Sequence, residues 1–248
     1  MTTKVAVIGA KGRMGATACE AVDGAADLEL VGRFDEGDDL GDLGGADVVV
    51  EFTVLAASER NVRYCVDRGV HVVVGTSGWT DERAAALRTE VEAKGGVGVL
   101  IAPNFAIGAV LMMQFAKQAA RFYESVEVVE LHHPRKLDAP SGTAARTAAL
   151  VAAARQRAGV GASPDATESD PHGARGAVVD GVHVHSVRLQ GLVAHQETLL
   201  GNTGEQLTVR HDSFDRASFM TGVLLGIRRV AEHPGLTHGL DGYMDLGL

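Results

Sequence analysis

The chain has 248 residues and a formal net charge of −9, which argues against nucleic acid or an anionic membrane as its main partner. Hydrophobic residues make up 46% and charged residues 22%, ordinary globular usage, and the length allows one large domain or two modest ones. Aromatics are few at 4% while glycine reaches 31 residues, a balance that suits an α/β protein with small-residue turns.

Short apolar runs alternate with helical stretches through the first hundred residues. The runs are 4–9, 28–34, 46–52, 70–75 and 97–102, and most are continuous, as parallel strands covered on both faces require. Helices are predicted at 14–22, 56–68 and 81–94. Strand–helix alternation of this kind predicts a doubly wound parallel sheet of Rossmann type. Cys19 and Cys65 fall in predicted helices and no disulfide is expected. With a strand starting at Lys4 no leader is expected, and no apolar run approaches the roughly 18 residues of a membrane span. A cytoplasmic protein is the resulting expectation.

The first strand runs into G9-A-K-G-R-M-G15 and then a helix. Glycines there permit a tight turn and let backbone amides approach a pyrophosphate, which the helix N-terminus favours. Gly9, Ala10, Lys11, Gly12, Arg13 and Met14 are therefore candidate cofactor residues. The G-x-x-G-x-x-G spacing also fits a turn without a ligand, but Asp35 follows Gly15 by 20 residues, at the end of the second strand, where a ribose carboxylate is expected. Two later loops fall at the same carboxyl edge: Gly75, Thr76 and Ser77, with hydroxyl donors, and Ala102, Pro103, Asn104 and Phe105, with backbone groups for a nicotinamide. Asp35 and Glu36 disfavour a 2′-phosphate while Lys11 and Arg13 favour it, so use of both NADH and NADPH is expected, NADH somewhat preferred.

The pattern changes after residue 106. A long helix is predicted over 106–123, a strand over 126–131, and an alanine-rich helix ending near Gly159, followed by a loop over 159–176. Val178-Val-Asp-Gly-Val182 reads as an Asp-Gly hairpin. Val187 and Leu189 are out of phase with Val182 and Val184, which predicts a bulge near His185 or Ser186. A second hairpin joins 197–201 to 206–210 through Asn-Thr-Gly, and a final helix covers 213–232. The chain thus divides into a dinucleotide-binding domain, 1–106 with 217–248 returning to it, and an α+β domain, 107–216, with an open, mixed, mostly antiparallel sheet.

Between strand and alanine-rich helix lies E130-L-H-H-P-R-K-L-D-A-P-S-G-T-A144, two histidines, an arginine and a lysine within five residues of an acidic protein. Pro134 ends the strand, leaving Lys136 in a loop. Ser141 is the expected N-cap, so Gly142 and Thr143 open the helix and can receive a carboxylate. His132, His133 and Lys136 can hold a second anion and supply a proton. A histidine pair at a strand end is by itself more often structural. The ten histidines, His183, His185 and His195 among them, show no H-E-x-x-H and no Cys/His spacing, so no metal is expected.

The whole stretch is more specific than its parts and resembles the signature of the 4-hydroxy-tetrahydrodipicolinate (dihydrodipicolinate) reductases of the bacterial diaminopimelate and lysine pathway. G9–G15, E51-F-T53, G75-T-S-G78, A102-P-N-F-A-I-G108 and the terminal helix fall in family order. Ser77 stands where the family often has Thr, and Glu51 where it often has Asp. The resemblance implies an oxidoreductase in which hydride from NADH or NADPH reduces a small dianionic heterocycle, with loss of water. It makes His132 a proton donor or acceptor and Lys136 a proton donor. It places His133 at one substrate carboxylate, Gly142 and Thr143 at another, and Arg216, opening the last helix, at the substrate. It also implies a homotetramer built through the open sheet. The rivals are a related reductase of an aspartate-derived aldehyde or another imine, for which a monoanionic substrate needs only one anion grip, and a dinucleotide sensor, which has no use for Lys136.

Overall fold

The computed structural model describes residues 2–247, which divide into two compact units. One comprises residues up to Ile107 together with Arg216–Gly247, and the other Gly108–Asp215.

The first unit is a parallel sheet built on valine runs. Its strands are β1 (Thr3–Ile8), β2 (Leu28–Phe34), β3 (Val48–Glu51), β4 (His71–Val74), β5 (Gly98–Ile101) and β11 (Gly235–His238), in the order β11-β5-β4-β3-β1-β2. All pairings are parallel. Val48–Val50, Val72–Val74 and Val99–Ile101 are buried because helices cover both faces. The helices are α1 (Arg13–Asp23), α2 (Leu55–Asp67), α3 (Asp81–Lys94) and, returning from the end of the chain, α6 (Met220–Arg229). β1 has β2 on one side and β3 on the other, so the strand order reverses there, and the crevice beyond the carboxyl ends of β1 and β3 is where such sheets take ligands.

Two expectations change here. The final helix does not begin at 213: the preceding strand continues through Ser213, and residues Arg216–Phe219 form a 3-10 turn before α6. Arg216 therefore opens that turn rather than the helix. The tail contributes β11, a strand with no sequence signature, whose Gly235–His238 find ready-made partners on the exposed edge of β5.

The second unit starts with α4 (Ile107–Ala119), whose bounds straddle the division, and contains α5 (Gly142–Arg157) and five strands. These are β6 (Ser125–His132), β7 (Ala177–Val179), β8 (Val182–Arg188), β9 (Ala194–Asn202) and β10 (Glu205–Ser213), in the order β10-β9-β6-β8-β7. Only β6 and β8 run parallel. The Asp-Gly turn forms as expected, with φ of 50° at Asp180 and 84° at Gly181. The second hairpin is tighter than expected, Asn202 pairing Glu205 across Thr203-Gly204.

The bulge expected near His185 or Ser186 is absent. β8 stays in unbroken register against β6 from His183 to Arg188. Strand alternation instead puts Ser186 and Arg188 on the same face as Val182 and Val184. On β6 that face is Val126, Val128, Glu130, His132, and on β9 it is Leu200, Thr198, Gln196, Ala194. One face therefore passes from an apolar core, packed with Ala144, Ala148 and Val151 of α5, to a polar end. The register needs no correction because polar residues are wanted there.

Candidate active site

The carboxyl edge of the first unit is built by close backbone approach. Gly9 has a φ of 87°, and a Cβ there would lie 2.2 Å from the Phe52 carbonyl oxygen, while a Cβ on Gly15 would lie 2.0 Å from the Gly9 carbonyl oxygen. Only glycine lets β1, β3 and α1 converge this tightly.

The loop uses most of its own amides. Those of Gly9 and Ala10 donate to Phe34 O at 2.8 and 3.0 Å, and that of Gly12 to Gly9 O at 3.0 Å. The Lys11 amide donates to Asp35 Oδ2 at 2.7 Å. The Arg13 and Met14 amides opening α1 have no intrahelical acceptor. Their cap, Gly12, makes no side-chain hydrogen bond to them. Hydrogen bonds from the Glu36 and Lys11 amides hold the Asp35 carboxyl below the usual carboxylate range. Lys11 and Arg13 are exposed on the rim. A glycine cradle, an uncapped helix start and an ionised carboxylate beyond the second strand fit a dinucleotide.

Thr76 departs from expectation. It is only 6% exposed, and its hydroxyl donates inward to Glu51 Oε2 at 2.8 Å. Glu51, fully buried at the end of β3, also accepts from Ser58 Oγ at 2.5 Å and from the Thr53 hydroxyl. Thr53 N–H in turn donates to Thr76 Oγ1 at 2.8 Å, so the loops after β3 and β4 are sewn together. Ser77 is exposed, and Gly75 packs over the Phe52 ring. In the last loop the Ala102 amide is committed to Val74 O, and Asn104 Oδ1 accepts from Ala106 N–H at 2.8 Å. Pro103 is exposed, while Phe105 is buried edge-on to Phe52.

In the second unit the polar end of the sheet gathers the histidine stretch. His132 Nδ1 lies 2.5 Å from Oε2 of Glu130, which is fully buried. A carboxylate only accepts, so Nδ1 carries the proton and Nε2 of the neutral ring is the basic nitrogen. Arg188 grips Glu130 with both terminal nitrogens, at 2.9 and 2.8 Å. Burial pushes Glu130 up, but Arg188, Ser186 and His132 outweigh it and hold its carboxyl below the usual range. Burial pushes His132 down; the Glu130 hydrogen bond opposes this, Lys136 and Arg188 add to it, and the imidazole titrates below its ordinary value.

Lys136 Nζ donates to Asp138 Oδ1 at 2.8 Å, and its amide donates to His133 O at 3.2 Å. His133 Nδ1 is buried without a hydrogen-bond partner. Ser141 caps α5, its hydroxyl accepting from Ala144 N–H at 3.2 Å. Gly142 is exposed, and a Cβ there would meet nothing within 4 Å. Thr143, half-buried, follows it. His132, His133, Lys136, Gly142 and Thr143 thus belong to one strand end, loop and helix start. Arg216 is exposed at the head of the 3-10 turn and is counted with the first unit.

Sequence reading passed over Glu130 and Arg188. Glu130 stands at the head of the motif, in phase with Val126 and Val128, and a charge in phase with an apolar face was the available signal. Arg188, 58 residues further on, carries none.

A parallel sheet with a glycine turn at its switch point, and a second sheet ending in a histidine–lysine group beside a helix start, are the features of a dinucleotide-dependent oxidoreductase. Family models described as the N-terminus and C-terminus of dihydrodipicolinate reductase match residues 3–105 and 108–244. The 4-hydroxy-tetrahydrodipicolinate reductase of Cutibacterium acnes is 60% identical over 243 residues, covering 98% of this chain and 99% of the relative. That of Streptomyces coelicolor is 60% identical over 245 residues, 98% of each chain. The dipicolinate-bound dihydrodipicolinate reductase of Paenisporosarcina sp. TG-14 superposes with a TM-score of 0.86 at 38% identity, over 98% of this chain and 100% of that one. The chain belongs to the dihydrodipicolinate reductase family.

Proposed function

We infer that this protein catalyses the NAD(P)H-dependent reduction of 4-hydroxy-tetrahydrodipicolinate to tetrahydrodipicolinate, with loss of water, in lysine and diaminopimelate biosynthesis. The observation that carries the reading is the second-unit group: a histidine whose tautomer a buried carboxylate sets, a lysine on the adjoining loop, and a helix start with open space in front of it. The full-length family match supports it.

In the first unit the Arg13 and Met14 amides hold the cofactor pyrophosphate, Asp35 the adenosine ribose, and the loops at Gly75–Ser77 and Ala102–Phe105 the nicotinamide end. The bound cofactor supplies the hydride. Asp35 stays ionised at neutral pH and disfavours a 2′-phosphate, which Lys11 and Arg13 partly offset, so both cofactors serve and NADH is somewhat preferred. In the second unit the Gly142 and Thr143 amides hold one carboxylate at the positive end of α5, and His133 holds the other. As hydride arrives, negative charge develops on the conjugated ring, and the cations beside it lower the barrier. Lys136 is the proton donor. His132, neutral above its depressed titration range, presents Nε2 as an acceptor that relays a proton.

Two carboxylate grips favour a dianion over a monoanionic aldehyde. The open face of the second sheet carries half-buried Val129, Leu131, Val187 and Leu199, which supports burial against further copies in a homotetramer. Sedimentation velocity tests this, and a monomer at micromolar concentration refutes it. Two buried, unpaired cysteines support a cytoplasmic setting, and no helix among the described residues is long and apolar enough to cross a membrane.

The deciding experiment follows NADH oxidation with substrate generated in situ by the preceding pathway enzyme from pyruvate and aspartate semialdehyde. Turnover should fall about 10²- to 10⁴-fold in Lys136→Ala, while cofactor affinity stays within about twofold. Absence of turnover with both NADH and NADPH, from folded protein that binds cofactor, refutes the reaction. Near-normal kcat in Lys136→Ala refutes the role of that residue.

A further inference from the structure

We propose that Glu130 and Arg188 act together as a positioning pair that sets the relative placement of the proton-transfer groups and the carboxylate grip. The inference rests on the function proposed above and goes beyond it by naming residues that touch neither substrate nor cofactor.

The geometry is a single junction of four segments. Glu130 is fully buried on β6, and its neighbour in the ladder on β8 is Ser186, two residues before Arg188. Its Oε2 receives His132 Nδ1–H at 2.5 Å and Arg188 Nη1 at 2.9 Å. Its Oε1 receives Arg188 Nη2 at 2.8 Å and the backbone amide of Ser141 at 3.2 Å. Ser141 is the N-cap of α5, so this last bond fixes where Gly142 and Thr143 begin. Arg188 Nη2 also donates to the carbonyl of Asp138 at 2.8 Å, and Asp138 is the ion-pair partner of Lys136. One carboxylate and one guanidinium therefore hold the imidazole, the lysine loop and the helix start in a single frame.

Each partner supplies something the other cannot. The fork of Arg188 neutralises a carboxylate that burial would otherwise make costly to ionise. The ionised carboxylate is acceptor-only and admits a single tautomer of His132, with the proton on Nδ1. Lysine in place of Arg188 keeps the charge but cannot span both Glu130 oxygens and Asp138 O with a planar fork. Oriented hydrogen bonds of this kind hold a reacting group within the tolerance catalysis requires, and their loss is felt in rate as well as in binding.

The test compares Glu130→Gln, Arg188→Gln, Arg188→Lys and the double variant Glu130→Gln/Arg188→Gln with the wild-type enzyme. Each is checked for folding by circular dichroism. Steady-state turnover is measured across pH, and ring ¹⁵N NMR reads the histidine tautomers. For folded Glu130→Gln the expected result is a fall in kcat of about 10- to 100-fold, together with a rise in substrate KM of about tenfold, since both halves of the frame loosen. The cofactor KM should stay within about twofold. The groups facing His132 are Glu130 from β6, Arg188 from β8, and Lys136 and Asp138 from the loop. Removing the Glu130 charge leaves Arg188 and Lys136 opposing the imidazolium, so the His132 limb of the kcat/KM profile should move to lower pH. The Nδ1–H signal of His132 should lose its single-tautomer position in the same variant. Arg188→Lys should show both kinetic effects at smaller size.

A structural role alone predicts lowered thermal stability with kcat, KM and the pH limb unchanged, and that outcome overturns the proposal. The double variant guards against a fold defect from the unpaired Arg188. Its kinetic losses should be no larger than those of Glu130→Gln, and additive losses would show that the two residues do not act as a unit. The NMR reading stands apart from turnover. A wild-type enzyme without activity but with His132 locked as the Nδ1–H tautomer sinks the proposed reaction, whereas an active wild-type enzyme with a mobile tautomer sinks the positioning pair.

Discussion

Gly142→Ala offers a way to weaken substrate binding without weakening the fold. Gly142 is exposed at the start of α5, and a methyl group built there meets nothing within 4 Å. Alanine is the better helix former by up to about 1 kcal/mol in a helix interior and by less in the first turn. Stability should therefore hold or rise slightly, and for a chain of this size about 1 kcal/mol corresponds to roughly 2–4 °C in Tm. The same methyl enters the space that a substrate carboxylate must occupy to reach the Gly142 and Thr143 amides. A hydrogen bond to a charged group contributes about 1.5–3 kcal/mol, so losing one raises KM by about 10- to 100-fold. Because the carboxylate is held alike before and during reduction, kcat should stay within about threefold. The assay pairs differential scanning fluorimetry with the coupled NADH oxidation described above. A substrate KM within about twofold of wild type would refute the carboxylate grip. A fall in Tm would refute the reading of open space.

At Gly15 the outcome reverses, since a Cβ there lies 2.0 Å from the Gly9 carbonyl oxygen. Gly15→Ala must push α1 away from the loop, with an overpacking cost of about 1–3 kcal/mol. Fluorescence titration should show NADH affinity lowered by about tenfold or more; an unchanged Kd would mean the close approach is not needed. For cofactor choice, Asp35→Ser removes a charge that the Glu36 and Lys11 amides keep ionised. The NADPH-to-NADH ratio of kcat/KM should rise at least about tenfold, equivalent to roughly 1.4 kcal/mol, and an unmoved ratio would take Asp35 out of that selection. The thiols report on folding: burial, with Glu51 adding to it, pushes Cys65 up to about 12, and burial pushes Cys19 up as well. Folding thus favours the protonated thiols, so their contribution to stability is lost as pH rises beyond the ordinary value of 9.0. At pH 8 a thiol reagent should label neither cysteine in the native protein and both in denaturant, and rapid native labelling would contradict the burial of α1 and α2.

Local patterns were enough to place most of the first unit. The runs around Val48–Val50 and Val72–Val74 are legible because a strand covered on both faces must be apolar at every position. The glycine turn, the Asp-Gly hairpin and the Ser141 cap are legible for a similar reason: each needs one residue type at one position, whatever the rest of the chain does. His132, His133, Lys136, Gly142 and Thr143 lie within twelve residues, so the candidate site could be seen as a stretch of sequence.

The misreadings share a different origin. β11 has no strand signature; Gly235–His238 become a strand because the edge of β5 offers unpaired backbone groups. In β8 the phase change of Val187 and Leu189 against Val182 and Val184 suggests a bulge, but the register is unbroken, and Glu130 across the ladder explains why Ser186 and Arg188 share the face of Val182 and Val184. Thr76 looked like a donor to ligand, but Glu51, 25 residues earlier, turns its hydroxyl inward. What the amino-acid sequence determined by itself was whatever periodicity and local backbone conformation dictate: the strands, turns and caps, and the residue types of the site. The tertiary structure decided the partners of buried charges, because an ionised group removed from water must find its counter-charge and donors wherever the fold brings them, at whatever separation in the chain.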